Sequence, residues 1–276
     1  MRINNNLMAM NTHRQLGVNN AAAGKSIEKL SSGFRINRAG DDAAGLSISE
    51  KMRAQVRGLN MASKNAQDGI SLIQTAEGAL NETHAILQRM RELAVQAAND
   101  TNVTVDRDAI KNELSELTKE IDRIATSTTF NEKTLLDGKL SSTTSAVNLQ
   151  IGADCGVSMQ LTINTMDASA LTVNDVSSSV TSYALATKAI DTIDTAIKAV
   201  SAERSRLGAN QNRLEHTIKN LDNASENIQA AESRIRDVDM AKEMMEFTKQ
   251  NILQQAATAM LAQANTAPQS VLQLLR

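Results

Sequence analysis

The most regular pattern in the sequence is a seven-residue repeat of aliphatic side chains in the second half of the chain. The repeat consists of Ile193, Val200, Leu207, Leu214, Leu221, Ile228 and Ile235. The row three positions earlier is half polar and includes Arg204, Gln211 and Glu232. An aliphatic period of 3.5 residues is typical of a long helix that packs against a partner helix in a coiled coil. The pattern therefore predicts a helix over about 183–236, with the half-polar row as the second row of its seam.

Two further seams lie in the first half, with steps that alternate between three and four residues. The longer one is Ile48, Met52, Val56, Leu59, Ala62, Ala66, Ile70, Ile73, Ala76, Leu80, Leu87 and Met90, and the shorter one is Ile110, Leu114, Leu117, Ile121 and Ile124. They predict helices over about 44–99 and 104–128. Asp41 or Asp42 is the expected N-cap of the longer helix, because a carboxylate accepts hydrogen bonds from the free amides of a first turn.

Three glycines interrupt the longer helix, at Gly58, Gly69 and Gly78. Each lowers the stability of a helix interior by about 1 kcal/mol relative to Ala. Two explanations fit: a neighbouring helix approaches closely at these positions, or the long helix tolerates them because tertiary packing stabilises it.

Between the two halves the apolar period changes from 3.5 residues to two. Val147, Leu149 and Ile151 alternate with polar residues, as do Val157, Met159, Leu161 and Ile163, and a segment with Gly152 and Gly156 joins the two runs. This pattern predicts a β-hairpin within a β-hairpin region of about 134–165. The predicted fold is mainly α: a long antiparallel helical coiled-coil rod with the β-hairpin region at its tip and the N- and C-termini paired at one end.

Composition narrows the function classes. Aromatic residues make up 1% of the 276 residues and there is one proline, which argues against a globular enzyme with an aromatic-lined pocket. The 29 basic and 31 acidic residues are nearly balanced, which argues against nucleic-acid binding. Three scattered histidines and a single cysteine, Cys155, give no metal-site spacing and no internal disulfide. We therefore expect no enzyme, no cofactor, no metal and no membrane insertion.

Both ends of the chain lack charge. Residues 3–13 and 251–275 contain no Asp, Glu, Lys or Arg, whereas a solvent-facing helix normally carries them. Terminal Val271, Leu272, Leu274 and Leu275 add an apolar patch of the kind that marks an interface. Burial of both ends against copies of the same chain explains the depletion. Frayed, sticky ends are the alternative.

Several long sequence blocks are similar to those of bacterial flagellins, the subunits of the flagellar filament. The matching blocks are Lys29–Leu46 (KLSSGFRINRAGDDAAGL), Asn65–Ser71 (NAQDGIS), Gln88–Gln96 (QRMRELAVQ), Ala231–Ala241 (AESRIRDVDMA) and Pro268–Arg276 (PQSVLQLLR). The resemblance covers roughly 1–140 and 183–276. Only the hairpin and short Ser/Thr-rich loops separate these arms, so the chain resembles a short form without variable outer domains.

The resemblance implies a domain organisation and a set of partners. Residues 1–43 plus 237–276 would form an inner-core coiled-coil domain and residues 44–236 a rod domain, with no large outer domain. Copies of the chain would polymerise helically into the extracellular filament that drives motility. Export would use the flagellar type III apparatus, without a cleaved signal peptide. The implied partners are further copies of the chain, a flagellar export chaperone, the filament cap and hook-associated proteins, and host Toll-like receptor 5.

The resemblance also assigns residues to three surfaces. Receptor binding and axial subunit contact would involve Arg89, Leu93, Glu113, Gln88 and Arg91. The inner-core subunit interface would involve Leu7, Met10, Ile252, Ala256, Ala259, Val271, Leu272, Leu274 and Leu275. Binding of the export chaperone would involve Met245, Phe247, Ile252, Leu253, Met260 and Leu261.

Two other functions remain open at this point. A hook–filament junction protein shares flagellin-like ends, although the C-terminal block favours the filament subunit. A membrane-active coiled-coil protein could insert its uncharged ends into a bilayer, but these ends lack the Lys/Arg face and the interfacial Trp that such helices use.

Overall fold

The computed structural model describes residues 5–142 and 144–274, and the side chains of residues 267–274 lie outside this description. Within the described residues five α-helices account for most of the chain: α1 Leu7–Ser32, α2 Ala43–Ala97, α3 Thr104–Ser127, α4 Tyr183–Arg236 and α5 Met240–Leu274. Four short strands and one 3₁₀ helix lie between α3 and α4: β1 Thr129–Phe130, β2 Lys133–Thr134, β3 Val147–Gln150, β4 Ser158–Leu161 and the 3₁₀ helix Ser177–Val180. The predicted mainly α fold class is confirmed.

The chain divides into two compact units. The terminal unit contains the described residues of Met1–Gln55 and Glu226–Arg276, and the central unit is Val56–Ser225. The helices α2 and α4 each contribute residues to both units. The domain boundaries implied by the resemblance, at 43/44 and 236/237, remain a prediction.

The central unit holds a continuous aliphatic core. From Ile193 to Leu214 the seven-residue repeat of α4 is fully buried. The row three positions earlier is only half-buried at Ile190, Ile197 and Arg204. The second buried row lies four positions earlier instead, at Ala189, Ala196 and Glu203. The buried face of α4 is therefore rotated by one position from the predicted seam.

The predicted hairpin is present, and its strands are antiparallel. Val147 lies opposite Leu161 and Leu149 opposite Met159. The hairpin packs along α2: Asn65 Nδ2 donates a hydrogen bond to the Gln150 carbonyl (3.1 Å). The hairpin thus packs against α2, because burying its apolar face needs a helix surface beneath it.

A second, tighter hairpin, β1–β2, was not predicted from the sequence. Its two-residue turn consists of Asn131 and Glu132, with φ of 47° and 66°. Positive φ at both turn residues matches the right-handed twist of the strands. Asn tolerates this conformation but Glu is an unusual choice, so the turn carries no strong sequence signal.

Residues 162–182, of which Ser/Thr content predicts only 177–182 as a loop, form a mostly irregular but buried strap in the central unit. Seven of its apolar side chains are 5% exposed or less: Ile163, Met166, Ala168, Leu171, Val173, Val176 and Val180. Two carboxylates hold its backbone: Asp122 Oδ1 accepts from the Ala168 amide (2.9 Å), and Glu203 Oε1 from the Asn164 amide (3.1 Å). Apart from the 3₁₀ helix near its end, the strap completes the core without regular secondary structure. Side chains from α3 and α4 satisfy part of its polar backbone groups.

In the terminal unit α1 packs against α5, so the two ends of the chain are paired as predicted. Asn6 Nδ2 donates to the Ala264 carbonyl (2.7 Å), and its Oδ1 caps α1 by accepting from the Ala9 amide (3.1 Å). At the other end of this pair Lys29 Nζ lies 3.7 Å from Glu243 Oε2. One hydrogen bond and an ion pair thus link the described parts of the two chain ends.

The acidic pair before α2 shows the expected capping. Asp42 Oδ1 accepts from the Gly45 amide (2.8 Å) and is the N-cap of α2. Asp41 Oδ2 instead accepts from the Arg38 amide (3.0 Å) and the Asn37 amide (3.3 Å), which closes the preceding loop. The two neighbouring carboxylates therefore have separate structural tasks.

Candidate functional site

The most unusual surface of the molecule lies on the terminal unit, which has almost no core of its own. Among its described side chains Ile36 is the one large aliphatic that is fully buried, and the smaller buried side chains are Ala23, Ser26, Ser49 and Ala264. Twelve large apolar side chains of this unit are exposed: Leu7, Met8, Met10, Val18, Ile27, Ile48, Met240, Met244, Met245, Ile252, Leu253 and Met260. These twelve are called the terminal apolar surface below.

The predicted inner-core residues fall on this surface as far as they are described. Leu7, Met10 and Ile252 are exposed by 68%, 66% and 61%. Ala256 and Ala259 are exposed as well. Val271, Leu272 and Leu274 belong to α5 but their side chains lie outside the description, and Leu275 lies outside the described residues altogether.

The residues predicted to bind an export chaperone follow one another along α5. Met245, Leu253 and Met260 are exposed by 69%, 41% and 55%. Phe247 and Leu261 are half-buried. Since Ile252 belongs to both predicted sets, the chaperone set and the inner-core set share part of one helix surface.

On the central unit, the predicted receptor residues surround a guanidinium that is already paired. Arg89 on α2 donates from Nε (3.0 Å) and Nη2 (2.9 Å) to Glu113 Oε1 on α3, and from Nη1 to Glu92 Oε2 (3.2 Å). The hydrogen bonds to Glu113 and then Glu92 raise the pKa of Arg89. Roughly half of each side chain of the Arg89–Glu113 pair stays exposed, so the pair joins two helices and still presents charge to a partner.

Arg91 and Gln88 occupy the neighbouring surface. Arg91 Nε donates to Asp194 Oδ1 on α4 at 2.6 Å. Gln88 is exposed, and its Nε2 lies 3.0 Å from Nε2 of His84. These two arginines of α2 thus form ion pairs with different helices: Arg89 with α3 and Arg91 with α4.

Leu93 differs from the other members of the predicted receptor set. Its side chain is 2% exposed and belongs to the core cluster of the central unit. A side chain this deeply buried offers almost no surface to a partner in the folded monomer. Leu93 follows Arg89 by one turn of α2 and packs in the core of the central unit.

Sequence reasoning missed a cluster that ties two loops of the terminal unit together. Phe34, after α1, forms a single antiparallel bridge with Asp237, after α4. The guanidinium of Arg236 lies 4.9 Å from the centre of the Phe34 ring, and that of Arg53 lies 5.9 Å from it. A cation over an aromatic face is stabilising. The chain has only three Phe and one Tyr, so a phenylalanine inside the matched block Lys29–Leu46 is unusual. That position is the sequence signal that could have pointed to this cluster.

The described residues hold no group of three or more His, Cys, Asp or Glu side chains placed to bind a metal ion. Over the same part of the chain, no helix combines the length and the apolar character that a membrane span requires. Cys155 is exposed and carries a free thiol. The described surfaces therefore offer apolar contact area and ion pairs.

Two family models of known proteins match long parts of the chain. The bacterial flagellin N-terminal helical region matches residues 3–141, and the bacterial flagellin C-terminal helical region matches residues 190–275. A flagellin of Halalkalibacterium halodurans is 63% identical over 276 residues, which cover all of both chains. A flagellin of Bacillus subtilis is 56% identical over 304 aligned positions, again with full coverage of both.

Among solved structures, a protein described as a flagellar hook-associated protein of Vibrio parahaemolyticus superposes with a TM-score of 0.61. It covers 71% of this chain and all of its own chain, at 14% identity. That likeness shows the fold alone, whereas the full-length identity to flagellins favours the filament subunit over a hook–filament junction protein. The chain belongs to the bacterial flagellin family, and it is a structural subunit of the flagellar filament outside the cell.

Proposed function

We propose that the terminal apolar surface is the main contact between subunits in the filament. The observation that carries this proposal is the imbalance of burial in the terminal unit: one large aliphatic side chain is buried while twelve large apolar side chains are exposed. Large apolar side chains left exposed in such number point to an interaction site, because contiguous exposed apolar surface on soluble proteins marks such sites. Neighbouring copies supply the missing burial, with Val271, Leu272, Leu274 and Leu275 extending the surface as the resemblance implies.

A single charge on this surface tests the proposal. Ile252→Glu buries an unpaired carboxylate in the filament, which is strongly unfavourable, and leaves the exposed side chain harmless in the monomer. We expect the critical concentration for polymerisation to rise at least about tenfold, because tenfold corresponds to only about 1.4 kcal/mol. Asn212→Glu, at an exposed position of α4, is the matched control.

Sedimentation and electron microscopy read the assembly, and circular dichroism checks that each variant folds. Normal filaments from Ile252→Glu at the wild-type critical concentration would contradict the proposal. Loss of filaments in both variants would show that added charge acts nonspecifically, which also counts against it.

The same α5 surface is proposed to bind the export chaperone before assembly. Met245, Ile252 and Leu253 are exposed together, with Met260 two turns further on. A helix that places apolar side chains in a partner's groove is a common recognition mode. Because Ile252 belongs to both surfaces, chaperone binding and polymerisation exclude each other. The chaperone must release this chain before the flagellar type III apparatus exports it.

Calorimetry with the organism's own export chaperone tests this part. We expect Leu253→Ser combined with Met260→Ser to weaken binding at least about tenfold, the usual effect of losing buried anchors. The control is Gln255→Ser, an exposed position on the same helix. Equal affinity of the double variant and the control would place the chaperone elsewhere. The filament cap and hook-associated proteins are proposed partners of the same terminal unit.

Recognition by Toll-like receptor 5 is proposed for the surface around Arg89, with Gln88, Arg91 and Glu113 as contacts. The ion pair that joins Arg89 to Glu113 is half exposed, so its charges can steer an oppositely charged partner. The same face is proposed to make axial contacts in the filament. Leu93 contributes by anchoring the helix, and a substitution there would confuse recognition with folding.

An ion-pair swap separates recognition from folding. Arg89→Glu combined with Glu113→Arg keeps an α2–α3 pair but inverts the charges offered to the receptor, so we expect monomer signalling in reporter cells to fall at least about tenfold. The control swap is Glu116→Lys with Lys119→Glu, which inverts an exposed pair on α3 whose atoms lie 2.7 Å apart. Full signalling by the first swap would refute the proposed site.

A further inference from the structure

Half of the terminal apolar surface consists of one residue type. Six of its twelve members are methionines, exposed by 48% to 69%: Met8, Met10, Met240, Met244, Met245 and Met260. Met244 and Met245 lie with Thr248 and Ile252 along a shallow groove on α5. The thioether sulfurs of this surface are therefore within reach of solutes in the monomer.

The other described methionines are placed differently. Met90, Met159 and Met166 are buried in the core of the central unit, with exposures of 0% to 5%, and Met52 is half-buried. Met61 is exposed by 57%, but it belongs to the central unit. The methionines thus divide into a protected set in the core and an accessible set concentrated on the surface that is proposed to assemble.

We propose that this methionine surface makes assembly sensitive to peroxide, with the free monomer as the vulnerable form. Hydrogen peroxide transfers one oxygen atom to the methionine Sδ; the O–O bond breaks, an S–O bond forms, the sulfur loses two electrons and the peroxide leaves as water. The product, methionine sulfoxide, replaces a flexible apolar group with a polar one.

The physical effect follows from the burial that assembly requires. A sulfoxide oxygen on an exposed helix is solvated and leaves the monomer folded. The same oxygen inside a subunit interface loses its water, and an unpaired buried polar group is unfavourable. Six such groups on one surface raise the critical concentration, whereas subunits already in a filament shield their sulfurs. The inference rests on the proposed subunit contact and adds its redox chemistry.

The test uses the full-length chain carrying Cys155→Ser, which removes the exposed thiol. Monomer and preformed filament are treated with the same dose of hydrogen peroxide, and peptide mass spectrometry counts the oxygen atoms gained at each methionine. We expect all six surface methionines to be oxidised in the monomer and spared in the filament. Oxidised monomer should need an at least about tenfold higher concentration to polymerise, and methionine sulfoxide reductases acting on both epimers should restore assembly.

Leucine variants locate the effect. Replacing all six surface methionines with leucine keeps the surface apolar, and assembly of this variant should survive peroxide. Met61→Leu is the matched control, and its assembly should remain as sensitive as that of the parent chain. Protection by Met61→Leu alone would overturn the assignment. If the six-leucine variant assembles poorly before treatment, single leucine variants of Met244 and Met245 replace it, and each should lower the sensitivity.

The outcomes distinguish the proposed peroxide sensitivity from the proposed subunit contact on which it rests. If filament spares the six sulfurs but oxidised monomer assembles normally, the interface stands and the peroxide sensitivity is wrong. If filament and monomer are oxidised equally, the proposed interface itself is wrong.

Discussion

At the scale of single residues, Gly58 and Gly78 both lie in the interior of α2 and differ in which atoms surround them. A Cβ added to Gly58 would lie 2.8 Å from the Cβ and 3.3 Å from the Cα of Ala153, in the turn of the hairpin. A Cβ added to Gly78 meets no atom within 4 Å. The sequence left two explanations for these glycines open. At Gly58 a neighbouring element approaches closely, and that element is the hairpin. At Gly78 nothing approaches, so the long helix simply tolerates the glycine.

This contrast predicts different stability changes at the two positions. Gly78→Ala should raise the free energy of unfolding by about 1 kcal/mol, the helix-propensity difference between the two residues. Gly58→Ala gains the same propensity, but Ala153 can yield only by moving its backbone, so overpacking by about 1–3 kcal/mol should make the net effect zero or destabilising. Urea unfolding of the monomer measures both. A Gly58→Ala variant as stable as Gly78→Ala would show that the hairpin does not press on α2.

The carboxyl group of Asp41 gives a pH prediction at the same scale. Hydrogen bonds from the amides of Arg38 and Asn37, together with the positive charge of Lys25, outweigh partial desolvation and lower its pKa. A lowered folded pKa means that its contribution to stability is fully present above the unfolded value of about 3.9 and is lost as pH falls through the folded value.

An NMR titration of the Asp41 carboxyl carbon in the monomer measures this directly. The midpoint should lie below about 3.9, and the amide signals of Asn37 and Arg38 should shift with the same midpoint. A midpoint at or above that of an unfolded peptide would show that the loop hydrogen bonds are absent in solution.

At the scale of elements, the strap of residues 162–182 depends on one buried carboxylate of α4. Glu203 is 3% exposed. It accepts hydrogen bonds from the backbone amide and the Nδ2 of Asn164, both at 3.1 Å, and from Arg206 Nη2 at 2.5 Å. The same Arg206 nitrogen donates to the Thr162 carbonyl at 2.9 Å. Glu203 and Arg206, one turn apart on α4, therefore satisfy polar groups at the start of the strap.

Removing that carboxylate should be strongly destabilising. Glu203→Ala leaves the Asn164 amide and the Arg206 guanidinium without their partner, and we expect a loss of about 3 kcal/mol of unfolding free energy. Glu215→Ala, at an exposed position of the same helix, should change stability by less than about 0.5 kcal/mol. Chemical denaturation compares the two, and equal small losses would mean that the strap is held by its aliphatic side chains alone.

The elements differ in how well the sequence predicts them. Periodicity predicted α2, α3 and α4 to within two residues at each end, since long aliphatic seams have few alternative explanations. The hairpin followed from alternation. The strap did not, because its hydrogen-bond partners Asp122 and Glu203 lie on α3 and α4, and no local pattern connects them. The second row of the α4 seam was wrong by one position, since Ile190 and Ala189 are both apolar and only packing distinguishes them.

The candidate surfaces show the same limit. Lack of charge at both ends marked the region of Leu7 and Ile252, and both side chains are exposed. The lack of charge could not predict that Met244 belongs to the surface, because charged residues flank Met244 in the sequence. Its exposure depends on which side of α5 it occupies. Sequence similarity could not show that Arg89 is exposed and Leu93 is buried. A motif shared by a family contains surface residues and core residues alike.

At the scale of the whole molecule, the two units are stabilised by different means. The central unit buries a continuous aliphatic core that runs through its helices, hairpin and strap. The terminal unit pairs two helices with one fully buried large aliphatic side chain among its described residues. The hydrophobic contribution to folding scales with buried apolar area, so the terminal unit should be marginally stable in the monomer and should gain stability from neighbouring subunits.

Hydrogen–deuterium exchange of the full-length chain, compared between monomer and filament, tests this central claim most directly. In the monomer the amides of α1 and of α5 up to residue 266 should exchange rapidly through local opening, while core amides of α3 exchange slowly. Polymerisation should slow the exchange of α1 and α5 at least about a hundredfold, as mass action requires of a contact that stabilises only the assembled form. Exchange in α1 and α5 that is as slow in the monomer as in α3, or that is unchanged in the filament, would contradict the account.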